Sequence, residues 1–81
     1  MPQTDLRALV EYLARGLVDD PSAVTVRATE RDQVVFIEIR VVAGEVGKVI
    51  GKRGRIIGAI RTVAKAAAIR AGRRVVVEVV Q

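Results

Sequence analysis

Apolar residues recur with two different periods along the chain, and the switches between them mark out its elements. Leu6, Leu9, Val10, Leu13 and Leu17 follow the i, i+3, i+4, i+7, i+11 spacing of one helical face. Thr4 or Asp5 is placed to cap that helix, and Asp19-Asp20-Pro21 stops it. The period then drops to two. Val24, Val26 and Ala28 alternate with Thr25, Arg27 and Thr29, which predicts a half-buried strand from Ala23 to Glu30. Glu30-Arg31-Asp32-Gln33 reads as a polar turn. The β-branched run from Val34 to Val42 completes a hairpin, with Val35, Ile37, Ile39 and Val41 on one face.

Beyond Ala43-Gly44, the segment from Glu45 to Ile50 is long enough for about two helical turns. A longer helix is predicted from about Arg55 to Ala71, with Ile56, Ile60, Val63, Ala64 and Ala67 facing inward. Gly72 suits the C′ position that closes it. Gly58 falls in its first turns, where glycine costs roughly 1 kcal/mol relative to alanine. Val75 to Val80 makes a last strand with Glu78 on the outward side. The order α-β-β-α-α-β, with no linker or repeat, predicts a single domain over residues 1–81. A two-helix crossover between the second and third strands favours parallel pairing and a right-handed connection. The expected architecture is α+β: a three-stranded mixed sheet covered on one face by three helices.

Composition narrows the function. A hydrophobic fraction of 51% argues against disorder, and 81 residues support only a thin core. No apolar run approaches the roughly 20 residues of a membrane span, and Met1-Pro2-Gln3-Thr4-Asp5 lacks the basic start of a signal peptide. Cysteine is absent, which excludes disulfides and thiolate metal sites. A cytoplasmic protein is expected. Histidine is also absent, and Ser22, the only serine, sits beside Pro21 in a connecting turn. The carboxylates show no paired spacing for acid–base work, so neither an enzyme nor a cofactor is expected.

Charge is divided unevenly. Met1 to Glu45 carries five cations and eight anions, whereas Val46 to Val77 carries nine cations and no acid. Such a split suits a face that meets a polyanion. Within the basic half, Val49-Ile50-Gly51-Lys52-Arg53-Gly54-Arg55-Ile56-Ile57 places two glycines around two cations, at the start of the long predicted helix. Glycines permit a tight turn and close approach of another backbone. Lys52 and Arg53 offer charge and donors to phosphate, and Lys48 and Arg55 extend that field. The loop N–H groups and those opening the helix are expected to aim at phosphate oxygens. Bases would lie across an aliphatic floor of Val49, Ile50 and Ile57, with Ile37 and Ile39 as candidates from one edge of the second strand, although sheet core is their more ordinary role. Gly47-Lys48 is not the end of a P-loop, because Val49 stands where a Mg²⁺-binding Ser or Thr belongs.

This stretch resembles the hallmark of the K-homology (KH) domain, Val-Ile-Gly-x-x-Gly-x-x-Ile between two helices. Val49, Ile50, Gly51, Gly54 and Ile57 occupy the hallmark positions. The element order is similar to the type II KH arrangement over essentially the whole chain, and the short chain with a basic loop resembles the small bacterial KhpA proteins. The resemblance implies a non-catalytic protein that grips about four nucleotides of single-stranded RNA. It implies RNA contacts from Lys48, Val49, Ile50, Gly51, Lys52, Arg53, Gly54, Arg55 and Ile57. It further implies an RNA-chaperone or post-transcriptional role, and a homodimer or a heterodimer with a larger KhpB (Jag)-type protein, with no membrane and no small-molecule substrate involved. The near absence of aromatics, only Tyr12 and Phe36, argues against folds that stack bases on a sheet. Two alternatives stand beside this reading. One is a protein-interaction module working through Val34, Phe36, Val76 and Val80, and the other is a binder of single-stranded DNA.

Overall fold

The computed structural model of the chain describes residues 5–80. Helix α1 (Leu6–Arg15) opens at Asp5, whose carboxylate accepts from the Ala8 N–H at 3.0 Å. That bond satisfies a donor the helix itself leaves unpaired. The alternative cap, Thr4, lies outside the described residues. Leu6, Val10 and Ala14 are buried, Leu13 and Leu17 pack at the margin, and Tyr12 points to solvent. Asp20 then accepts from both the N–H and the hydroxyl of Ser22, at 3.0 and 2.7 Å, which holds its carboxyl below the usual range.

Strands β1 (Val24–Arg31) and β2 (Val34–Val41) pair antiparallel, and Arg31 faces Val34 across a two-residue turn. The turn is shorter than the four polar residues predicted, because Glu30 and Arg31 continue the strand. Asp32 and Gln33 both take left-handed backbone, at φ 53° and 67°. Two such residues match the right-handed twist of a hairpin, so the tight turn wins over a looser one. Ala28 is exposed although it keeps the strand's period. Strand β3 (Arg74–Val80) pairs parallel with β2, which gives the order β1-β2-β3. The parallel pairing agrees with the predicted crossover.

Helices α2 (Val46–Ile50) and α3 (Arg55–Arg70) fill that crossover. One face of the sheet presents Val24, Val26, Val35, Ile37, Ile39, Val41 and Val77 to the helices, and all are buried. Opposite them lie Val49 of α2 and Ile57, Ile60, Ala64 and Ala68 of α3. The inward stripe of α3 is therefore rotated from the predicted one. Ile56 and Ala67 pack only at its margin, and Val63 is 44% exposed. Apolar residues cover a wide arc of this helix, so its periodicity fits either stripe and packing against α1 and β3 selects one. Gly72, at φ +72°, ends α3 as predicted: its N–H reaches the Ile69 carbonyl at 3.0 Å, and the Arg73 N–H reaches Ala68 at 2.8 Å.

Arginines from the covering helices reach the two outer strands. Arg7 and Arg15 donate to the carbonyls of Val26 and Val24, each at 3.4 Å, and Arg61 donates to that of Val77 at 3.0 Å. They occupy part of the unpaired hydrogen-bonding edges of β1 and β3, where another chain would otherwise add.

Replacing Ile39 with alanine is expected to lower the unfolding free energy by about 2–5 kcal/mol in urea titration. Tyr12→Ala should change it by no more than about 0.5 kcal/mol. In the hairpin, Gln33→Gly should raise stability by about 1 kcal/mol, because glycine adopts the left-handed backbone without a Cβ clash. A melting temperature unchanged or lowered by that substitution would count against the turn geometry.

Candidate nucleic-acid interface

The segment between α2 and α3 is a single tight 3₁₀ turn, Lys52–Gly54. Gly51 enters it at φ 76°, ψ 170°, a region open essentially to glycine alone. A Cβ there would lie 2.5 Å from Cγ1 and 2.8 Å from Cβ of Ile56. Backbone conformation and packing therefore both demand glycine at this position. Arg53 and Gly54 follow in left-handed backbone, at φ 57° and 73°. For Arg53 that conformation costs roughly 1–2 kcal/mol, so the surrounding fold must hold it.

The anchors are on either side. Val49 is 0% and Ile57 4% exposed, so the residues flanking the loop are fixed in the core. This corrects the expected aliphatic floor. Val49 and Ile57 present almost no surface to a ligand, and Ile37 and Ile39 are buried between sheet and helices. β2 is also the central strand, with no free edge to offer. The apolar surface that remains beside the loop is that of half-buried Ile50 and Ile56. Gly58, one turn into α3, would bring an added Cβ within 4 Å of nothing, so no contact in the fold requires glycine there.

The donors also differ from expectation. The Gly51 N–H bonds to Gly47 O at 2.9 Å, that of Gly54 to Gly51 O at 3.1 Å, and that of Arg55 to Lys52 O. Those three are engaged in making the turn. The N–H groups of Lys52 and Arg53 have no backbone partner among the described residues, and no side chain caps the start of α3. Lys48 does not stand free. Its ammonium pairs with Asp19 and, at 2.9 Å, with Oε2 of Glu45, a carboxylate oxygen closed off from solvent. The hydrogen bond to Asp19 and then the close Glu45 carboxylate push the Lys48 pKa above the ordinary lysine value. Lys48 stays charged but serves to tie α2 to the α1–β1 connection.

Lys52, Arg53 and Arg55 are exposed and have no ion-pair partner among the described residues. Three free cations, two free N–H groups and a fixed backbone thus share one turn. The role of Lys48 was not legible in the sequence. Its i, i+3 spacing from Glu45 hinted at one partner, but nothing pointed to Asp19.

A family model described as KhpA/KhpB, KH domain matches residues 7–79. The chain belongs to this family of KH domains. Among curated relatives it is 47% identical over 75 residues to the RNA-binding protein KhpA of Clostridium acetobutylicum, covering 93% of this chain and 100% of the relative. It is 45% identical over 76 residues to the RNA-binding protein KhpA of Aquifex aeolicus, covering 94% of this chain and 96% of that one. A crystal structure of Aquifex aeolicus Era superposes with a TM-score of 0.67 at 24% identity, over 98% of this chain and 31% of Era, a likeness of fold alone. The α+β architecture is accordingly that of a type II KH domain. The relatives' names describe binding proteins rather than enzymes, in agreement with the non-catalytic reading.

In this KH domain the two glycines of contrasting geometry should respond oppositely to alanine. Gly51→Ala is expected to lower stability by about 3 kcal/mol. Gly58→Ala should raise it by about 0.5–1 kcal/mol, because the space is open and the helix gains propensity. Paired thermal melts check both signs.

Proposed function

We propose that this chain binds single-stranded RNA without catalysis, gripping the sugar–phosphate backbone with the turn Gly51-Lys52-Arg53-Gly54. One observation carries the reading: the exposed cations Lys52, Arg53 and Arg55 surround a tight turn in which the Lys52 and Arg53 N–H groups have no backbone partner and the cations no carboxylate partner among the described residues. The names of the relatives support the choice of RNA. Lys52, Arg53 and Arg55 take phosphates, Gly51 and Gly54 allow the strand to lie close, and Ile50 offers a small apolar contact for a base. Val49 and Ile57 act from beneath by holding the turn, and Lys48 by tethering α2.

A single grip of about four nucleotides yields little affinity. Useful binding then needs a second grip on the same strand, from another copy of the chain or from a KhpB-type protein, through effective concentration. The likeness to KhpA proteins extends the proposal to an RNA-chaperone or post-transcriptional role in the cytoplasm. No helix among the described residues is long and apolar enough to cross a membrane. The alternative of a protein-interaction face at Val34, Phe36, Val76 and Val80 is weakened by its setting. Arg27, Glu38 and Glu78 align across the same outer face of the sheet and divide it with charge.

Lys52→Asp/Arg53→Asp should reduce affinity for a short single-stranded RNA by at least about tenfold while the melting temperature holds. The slope of log K against log salt should become shallower by about 1.4, at about 0.7 per lost phosphate contact. Undiminished binding by this folded double variant would falsify the clamp. Competition between matched RNA and DNA oligomers decides which nucleic acid is preferred.

A further inference from the structure

At the far end of α3 from the turn, a groove folds over the first residues of β3. Val34, Phe36, Lys65, Ile69, Arg74 and Val76 are among its lining residues. Three cations border it, Lys65, Arg73 and Arg74, and no carboxylate does. Arg73 is paired with Glu30 at 2.5 Å, whereas Lys65 and Arg74 have no ion-pair partner among the described residues. Between the cations lie two exposed large apolar side chains, Phe36 at 43% and Ile69 at 66%. Neither exposure contributes to the core.

The groove is aligned with the turn. Gly54, Gly58, Arg61, Lys65 and Ile69 follow i, i+4, i+7, i+11 and i+15, which is one flank of α3. That flank faces β3, because Arg61 donates from it to the Val77 carbonyl. At Gly58 the helix shows bare backbone with open space above it. From Gly54 to Ile69 the helix rises about 22 Å. A chain held at the turn therefore has a course along this flank, over the open space at Gly58 and past the Arg61 side chain, to Lys65 and the groove.

We propose that this groove is a second contact for the same single strand, an inference that rests on reading the turn as an RNA clamp. The chemistry fits a single strand: Lys65 and Arg74 meet phosphates, and bases leaving the helix flank rest on Phe36 and Ile69. Phe36 supplies the one exposed aromatic face on this path, and stacking on such a face tolerates any base. A peptide partner would need to be acidic and would meet the same cations, so the test must separate it from RNA.

Oligouridines of about four and about ten nucleotides make the two probes. Wild-type protein should bind the longer one at least about tenfold tighter, part of which reflects the greater number of registers on a longer strand. That statistical part is common to all variants. Lys65→Gln/Arg74→Gln should leave the shorter oligomer's affinity unchanged, weaken the longer one's by about fivefold or more, and reduce its salt slope by about 1.4. Phe36→Trp introduces the only tryptophan of the chain. Its fluorescence should be quenched by the longer oligomer and not by the shorter. If the double variant binds the longer oligomer as wild type does, and the tryptophan is silent, the second contact is wrong while the clamp stands. If wild-type protein binds neither oligomer, the clamp fails and this extension fails with it. A change in sedimentation mass of the double variant with RNA affinity intact would assign the groove to a protein contact and overturn the proposal.

Discussion

Everything positioned in this molecule refers back to the inner face of β2. The strand is hydrogen-bonded to β1 on one side and β3 on the other, and Val35, Ile37, Ile39 and Val41 are buried beneath the helices. A slip of one residue would expose all four and drive Phe36, Glu38 and Arg40 into the core. Its register is thereby fixed, and it fixes the place of both neighbours. The same surface receives α2 through Val49 and α3 through Ile57 and Ile60. The turn between these helices is suspended from two buried residues, Val49 and Ile57, and cannot drift relative to the sheet.

That suspension explains how a strained turn survives. Gly51, Arg53 and Gly54 all have positive φ, and the Ile56 side chain packs where a Cβ on Gly51 would stand. A flexible loop would relax such a backbone. Held at both ends, it keeps its backbone in one arrangement, with the Lys52 and Arg53 N–H groups unpaired by backbone and their side chains exposed. Preorganisation of this kind lowers the ordering cost of binding, which matters for a site too small to win affinity by area.

The distribution of charge is more selective than the sequence total suggests. Glu11 pairs with Arg7 and Arg15, Glu38 with Arg40, Glu30 with Arg73, and Asp19 and Glu45 with Lys48. Hydrogen bonding to Arg7 holds the Glu11 carboxyl below its ordinary range. Arg61 is engaged at the edge of β3. The acidic half thus neutralises several cations along the body of the fold and leaves those of the turn unpaired, together with Lys65 and Arg74 beside the groove.

The chain's own pattern determined the elements wherever periodicity was unambiguous. β2 alternates strictly from Ile37 to Val41, α1 carries a narrow apolar stripe, and Gly51 and Gly54 demand a special backbone at a place the spacing of neighbouring elements already marks as a turn. Local rules act over a few residues, so such features can be read in order along the chain. The phase of α3 could not be read, because apolar residues on more than half its circumference fit several inward faces until α1 and β3 select Ile57, Ile60, Ala64 and Ala68. Nor could the fate of each cation. Lys48 looks like Lys52 in sequence, yet a carboxylate 29 residues away claims one and none reaches the other. Pairing depends on distance through space, and only the tertiary structure brings Asp19 to Lys48 while leaving Lys52 and Arg53 at the tip.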